Sequence, residues 1–131
     1  MAELTEGAAL AELRVTPDRH LTVRYAGASG DFNPIHIDEE FATQVGLPGR
    51  ILHGLWTMAQ VARAQTEGAG AGPEALVRLS VQFRGMGRPE EELTVTSRVR
   101  ELRDGVAVVD AEAVQDGKRI IRNAEAELRI G

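Results

Sequence analysis

The clearest periodicity in the chain lies in its second half. Val77, Leu79, Val81 and Phe83 alternate with Arg78, Ser80, Gln82 and Arg84, the period of two that a strand with one buried face requires. Further strands are expected over 93–103, 106–115 and 118–130. Asp104-Gly105 and Asp116-Gly117 stand between them, and Asp-Gly is a tight-hairpin signal. Four strands joined in sequence predict an antiparallel meander.

The first half has a different texture. Leu10 to Val15 suits a short entering strand. Thr16-Pro17-Asp18 suits a helix start, with Thr16 as N-cap and Pro17 at the first helical position. Leu21 and Tyr25 are four apart and share one face of that helix. It should end over 27–30, before Asn33, whose helical backbone Pro34 disfavours. Asp38, followed by Glu39 and Glu40, opens a second short helix that Gly46 ends. From Gly54 to Gln65 apolar residues wrap most of the circumference, predicting a helix buried on several sides. Gly68 to Gly72 closes it in a loop. One buried helix against an antiparallel sheet is an α+β layered design, expected to form a single domain over 1–131.

Composition narrows the function classes. The 131 residues, 43% hydrophobic and 27% charged, suit one core. There is no cysteine, so neither disulfides nor a thiolate metal site is available, which fits a reducing cytosol. The opening MAELTEGAALAEL lacks the basic start and apolar core of a secretory signal. No apolar run approaches the roughly 20 residues that span a bilayer. A cytoplasmic protein with no membrane partner is the expectation. The net charge of -5, from 15 basic and 20 acidic residues, argues against nucleic acid, which wants a basic face. The three histidines, His20, His36 and His53, show no His-x-x-x-His spacing, and no metal site is expected.

The chemistry concentrates in Tyr25-Ala-Gly-Ala-Ser-Gly-Asp-Phe-Asn-Pro-Ile-His-Ile-Asp38. Gly30 and Pro34 bracket a turn. Asp31 and His36 flank Asn33-Pro34, and such a turn can aim both side chains into one space. A carboxylate and an imidazole there can hold one water and move its protons. Each residue also has a plainer reading, Asp31 as a turn former and His36 as a structural histidine. Asn33 can brace the turn through its own backbone. His53-Gly54 stands where the buried helix begins. The free N–H groups at such a terminus can accept a carbonyl oxygen, and Gly54 has no side chain to block its approach. Gly54 equally suits close helix–sheet packing, and His53 a helix cap.

The segment Tyr25 to Asp38 resembles the signature of the MaoC-like, R-specific enoyl-CoA hydratase (hydratase 2) family. Ile51-Leu-His-Gly-Leu55 resembles the family's entry to its central helix, and Val81 to Val95, with Phe83-Arg84-Gly85, its following strand and turn. The resemblance implies a hotdog fold, an antiparallel sheet wrapped around a long helix. It implies Asp31 and His36 as the catalytic pair and Gly54 as the residue whose N–H polarises a thioester carbonyl. Asn33 matches the supporting residue of the turn; Tyr25, Ser29 and His53 are further supporting or substrate-binding candidates. The implied reaction is reversible hydration of a trans-2-enoyl thioester to the (3R)-3-hydroxyacyl thioester, without metal or cofactor. Acyl-CoA or an acyl carrier protein thioester is the implied substrate, and fatty-acid or related acyl metabolism the setting. Hotdog domains usually pair, and strand edges tend to be covered, so a homodimer, or a heterodimer with a related chain, is expected. Two other readings remain: a hotdog thioesterase, although no carboxylate lies between Gly54 and Gln65, and a non-catalytic partner subunit or acyl-thioester binding module. Trp56 either shortens an acyl pocket or fills the core. The run over 87–92 reads as a solvated face, and Arg84 and Arg88 as a local basic patch.

Overall fold

The computed structural model describes residues 3–130. Three strands form the meander: β3 (Leu93–Arg103), β4 (Val106–Gln115) and β5 (Lys118–Arg129). They lie where alternation and turn chemistry place them. Asp104 and Gly105 take φ of 51° and 75°, and Asp116 and Gly117 take 50° and 70°, the paired positive φ of the two-residue turn that matches strand twist.

The remaining strands correct the four-strand meander. The order is β1-β3-β4-β5-β2, antiparallel at every pairing. β1 (Leu13–Val15) closes on β3, and β2 (Leu76–Phe83) pairs with β5 on the far side. The connection from β2 to β3 is held away from a hairpin. Leu52 N donates to Gly87 O at 2.9 Å, and Gln115 brackets Arg88, accepting from its N–H at 2.7 Å and donating to its carbonyl at 2.8 Å. Gly87 and Pro89 are therefore buried and Arg88 half-buried, while Glu90, Glu91 and Glu92 are exposed; only the second half of that run is a solvated face.

The first helix, α1 (Leu21–Ser29), begins later than Thr16-Pro17 predicts. Glu90 N donates to the Pro17 carbonyl at 2.7 Å, and Asp18 Oδ1 accepts the N–H of His20 at 2.8 Å. Both interactions hold 17–20 in a turn instead of a helical start. Then come α2 (Pro34–Ile37), a helix of one turn with no apolar period to announce it, and α3 (Glu39–Gln44), capped by Asp38, which accepts from Phe41 N.

The central helix α4 (Gly54–Gly68) contacts all five strands. Its Val61 and Ala64 pack with Leu93, Val95, Ala113 and Ile121. Ala111, Ala113, Ala124 and Ala126 are buried along β4 and β5, and these small side chains let the sheet curve closely over the helix. Register shifts in three of the four pairings add the bends such wrapping needs. This is the α+β hotdog arrangement. The burial of α4 is less complete than its apolar wrap predicts: Leu55, Ala59, Arg63 and Glu67 form an exposed stripe. On the edge strand, Val77 and Phe83 are 45% and 50% exposed, so the expected buried face of β2 is only half covered by this chain. No helix among the described residues is long and apolar enough to cross a membrane.

Candidate active site

The segment after α1 is built by side chains that each hold a backbone N–H two residues on. Ser29 Oγ accepts from Asp31 N, Asp31 Oδ1 from Asn33 N, and Asn33 Oδ1 from Ile35 N, each at 3.2 Å. Ser29 Oγ also donates to Tyr25 O at 2.8 Å, tying the start of the series to α1. Short polar side chains compete with helix in this way, which explains why the chain turns sharply between Gly30 and Pro34. Asn33 thereby caps α2, with Pro34 at its first position.

The turn delivers His36 into the interior. His36 is 7% exposed, and its Nδ1 lies 2.8 Å from Ile51 O. A carbonyl oxygen only accepts, so Nδ1 carries the proton and Nε2 of the neutral ring presents a lone pair. That Nε2 stands 3.7 Å from Asp31 Oδ2, whose side chain is 52% exposed. The separation is too long for a direct hydrogen bond and suits a water bound to both groups. Sequence reasoning brings Asp31 and His36 together correctly. It misses Ile51, because a backbone carbonyl 15 residues away leaves no side-chain signal.

The loop carrying that carbonyl is itself fastened. Arg50 donates from N and Nε to Glu39 Oε2 at 3.3 and 3.0 Å, and from Nη1 to Arg19 O at 2.8 Å. The Arg50 backbone N–H, followed by its guanidinium, holds the Glu39 carboxyl below its ordinary range. Arg88 Nε donates to Arg50 O at 3.2 Å. Arg88 is thus turned inward, and the basic patch expected of Arg84 and Arg88 is left to Arg84 alone.

His53 departs from the capping role. It occupies the N-cap position of α4 but makes no side-chain cap. Its Nε2 instead lies 3.0 Å from Asp31 O. Its ring stacks on His36, with centroids 3.8 Å apart and planes at 21°, and meets the Tyr25 ring at 4.7 Å. The next residue, Gly54, opens the helix. Among the described residues, Gly54 N–H donates to no other group, as expected of a first-turn amide. A Cβ on Gly54 would come within 3.2 Å of the Phe83 ring. Gly54 thus packs against the edge strand, and its amide is left without a partner among the described residues. Trp56 is 9% exposed and belongs to the core cluster, which fits its packing role.

One ligand atom each from Asp31, His36 and His53 lies within 4.8 Å of the others. Their geometry is nevertheless poor for a cation. The two rings are nearly parallel, so their lone pairs run side by side instead of converging. A carboxylate and an oriented imidazole beside a free amide form an acid–base arrangement. A surface hollow of about 800 Å³ lies elsewhere, on the outer face of the sheet. Within it Arg100 pairs with Asp110 and Glu125, and Arg119 with Glu112.

A family model described as the MaoC like domain matches residues 2–120. The fatty acid synthase subunit beta of Aspergillus oryzae is 39% identical over 110 residues, or 80% of this chain and 5% of the relative. The corresponding subunit of Saccharomyces cerevisiae is 30% identical over 105 residues, 79% of this chain and again 5% of the relative. The chain thus spans about one twentieth of the length of these curated relatives. Among solved structures, one titled MaoC-like dehydratase superposes with a TM-score of 0.91 at 29% identity, covering 98% of this chain and 41% of that one. The (R)-hydratase from A. caviae superposes at 0.88 with 21% identity, over 98% of both chains; that likeness speaks for the fold.

Proposed function

The chain belongs to the MaoC-like domain family, and from that premise we propose that it is a hydro-lyase that reversibly hydrates trans-2-enoyl thioesters to (3R)-3-hydroxyacyl thioesters. The observation that carries this reading is the 3.7 Å gap between Asp31 Oδ2 and His36 Nε2, beside the uncommitted amide of Gly54. A water held beside the pair, bonded to both groups, gives one proton to them, and its oxygen adds to carbon 3. Charge developing on the thioester oxygen is met by Gly54 N–H, a contribution of roughly 3 kcal/mol for one such donor. A proton returned to carbon 2 completes the addition.

Asn33, Ser29 and Tyr25 hold the loop in this scheme, and Asp31, His36 and Gly54 act on the substrate. CoA or an acyl carrier protein is the thioester's handle, and fatty-acid or related acyl metabolism in the cytoplasm the setting. The exposed Leu55, Val77 and Phe83, on α4 and an open sheet edge, support a second hotdog unit, identical or related, as the partner of this domain. A chain of the ChsH1-ChsH2 complex from Mycobacterium tuberculosis superposes at a TM-score of 0.87 with 23% identity, so the same fold is found within a complex there.

The test is to mix the purified protein with crotonyl-CoA and follow loss of enoyl absorbance, then determine product chirality. The expected product is (3R)-3-hydroxybutyryl-CoA. Release of free CoA instead would make it a thioesterase. Absence of turnover on enoyl-CoA and enoyl-carrier substrates, alone and with a related hotdog chain, would leave a binding module.

A further inference from the structure

Two half-sites must keep a fixed distance for the proposed addition. One is the loop carrying Asp31 and His36, and the other is the first amide of α4. They are 23 residues apart in sequence, counting from Asp31 to Gly54 (54 − 31). Only the fold sets their spacing. Ile51 bonds to Ile35 and His36 of the loop, and the side chain next to Gly54 reaches Asp31 itself. His53 is 3% exposed. Its backbone forms the peptide unit that carries Gly54 N–H. Its side chain places Nε2 at 3.0 Å from the carbonyl of Asp31. A carbonyl only accepts, so His53 Nε2 carries the proton and donates it.

We infer that His53 is a positioning residue, a strut that sets the catalytic loop in register with the carbonyl-binding amide. The inference rests on the hydratase reading for its kinetic consequence, though not for its structural one. Three further observations support it. The ring is packed by two others, His36 at 3.8 Å and Tyr25 at 4.7 Å, which restrict its donor direction. The Asp31 carbonyl lies in the same residue as the reacting carboxylate, so a shift of one moves the other. And His53 makes no helix-cap bond; at this N-cap position, its polar side chain serves the loop instead of its own helix.

The strut requires a donor at the reach of Nε2. Gln extends an N–H about as far as Nε2, whereas Asn extends one only about as far as Nδ1. In the full chain, His53→Gln should keep kcat for crotonyl-CoA within about threefold of the unsubstituted protein. His53→Asn and His53→Leu should lose about 10- to 100-fold in kcat, the scale of a misplaced reacting group. KM should change by less than about threefold, because binding of the handle is untouched. Hydrogen exchange supplies a readout that needs no turnover. The amides of Asn33, Ile35 and His36, each bonded within the loop, should exchange faster in the Asn and Leu variants than in the Gln variant, at equal melting temperature. Equal kcat and equal loop exchange in Gln and Asn variants would overturn the strut. If the unsubstituted protein hydrates no enoyl thioester, the functional reading fails, and the exchange comparison still decides whether His53 holds the loop. Should the Leu variant not fold, the Gln–Asn pair carries the comparison.

Discussion

The meander from β3 to β5 and the loop from Gly30 to Gly54 are held together in opposite ways. The meander is redundant. Each strand is bonded along its length to a neighbour, buried alanines, valines and leucines line one face, and two Asp-Gly turns set the register. No single contact decides its shape. The loop rests on individual bonds between residues far apart: His36 to Ile51 O, His53 to Asp31 O, Arg50 to Glu39. Redundant packing gives a scaffold that tolerates loss, and single directional bonds give aim. A site that must hold a carboxylate and an imidazole at one spacing needs the second kind, mounted on the first.

The sharpest way to separate the two is to remove the reacting groups. Asp31→Asn and His36→Ala should each lower kcat for crotonyl-CoA by about 100- to 10,000-fold, the usual contribution of positioned proton transfer. Circular dichroism should stay near that of the unsubstituted protein in both. Melting temperature should hardly move in the Asp31 variant, because Asp31 is half exposed. It should fall modestly in the His36 variant, which empties a buried position and breaks the bond to Ile51 O. Near-normal rates in both variants would break the assignment of the site, whatever the fold does.

A core truncation should do the reverse. Leu128 is fully buried in β5, packed with Leu10, Ala69, Val99 and Ala126, near the end of α4 away from Gly54. Leu128→Ala should cost about 2–5 kcal/mol of stability by denaturant titration, the transfer and cavity terms of a large-to-small change. The kcat per folded molecule should hardly change. If this substitution slows the folded enzyme as much as His36→Ala does, the scaffold and the site are not separable.

The same contrast decides what was legible in the sequence. Alternation and Asp-Gly turns are local, so β2 to β5 could be read almost to the residue. Strand order could not, because no local pattern says that β2 passes β3 and pairs with β5; that is settled by Gln115 and Leu52 holding 87–88 in place. In the loop, Asp31, Asn33 and His36 were readable because their chemistry lies in side chains within six residues. Ile51 was not, since its contribution is a carbonyl. His53 was visible as a residue but not as a strut, since its partner is a carbonyl 22 residues away. The start of α1 was misplaced because Thr16-Pro17-Asp18 carries good helix-start chemistry, and only the distant Glu90 N–H shows why Pro17 is used otherwise.

Asp18 offers the smallest and most specific comparison, since it belongs to the directional half but sits in water. Its carboxyl is held at about 2, below the ordinary 3.8, first by the Arg24 guanidinium and then by the N–H of His20. A depressed carboxyl stabilises the fold when ionised, so the contribution is complete above about 3.8 and is lost as pH falls through about 2. Both partners are more than half exposed, and solvent keeps such a pair weak. Asp18→Asn retains an oxygen for the His20 N–H and removes only the charge. The melting temperature of the variant should therefore lie slightly below that of the unsubstituted protein at neutral pH. The gap should narrow as pH falls below about 3.8 and close near about 2, while kcat at neutral pH stays the same. A gap independent of pH would mean that Asp18 acts through its shape in the turn before α1 and not through its charge. A fall in kcat would mean that the entry to α1 transmits to the loop, and that the directional half is more tightly coupled than its separate bonds suggest.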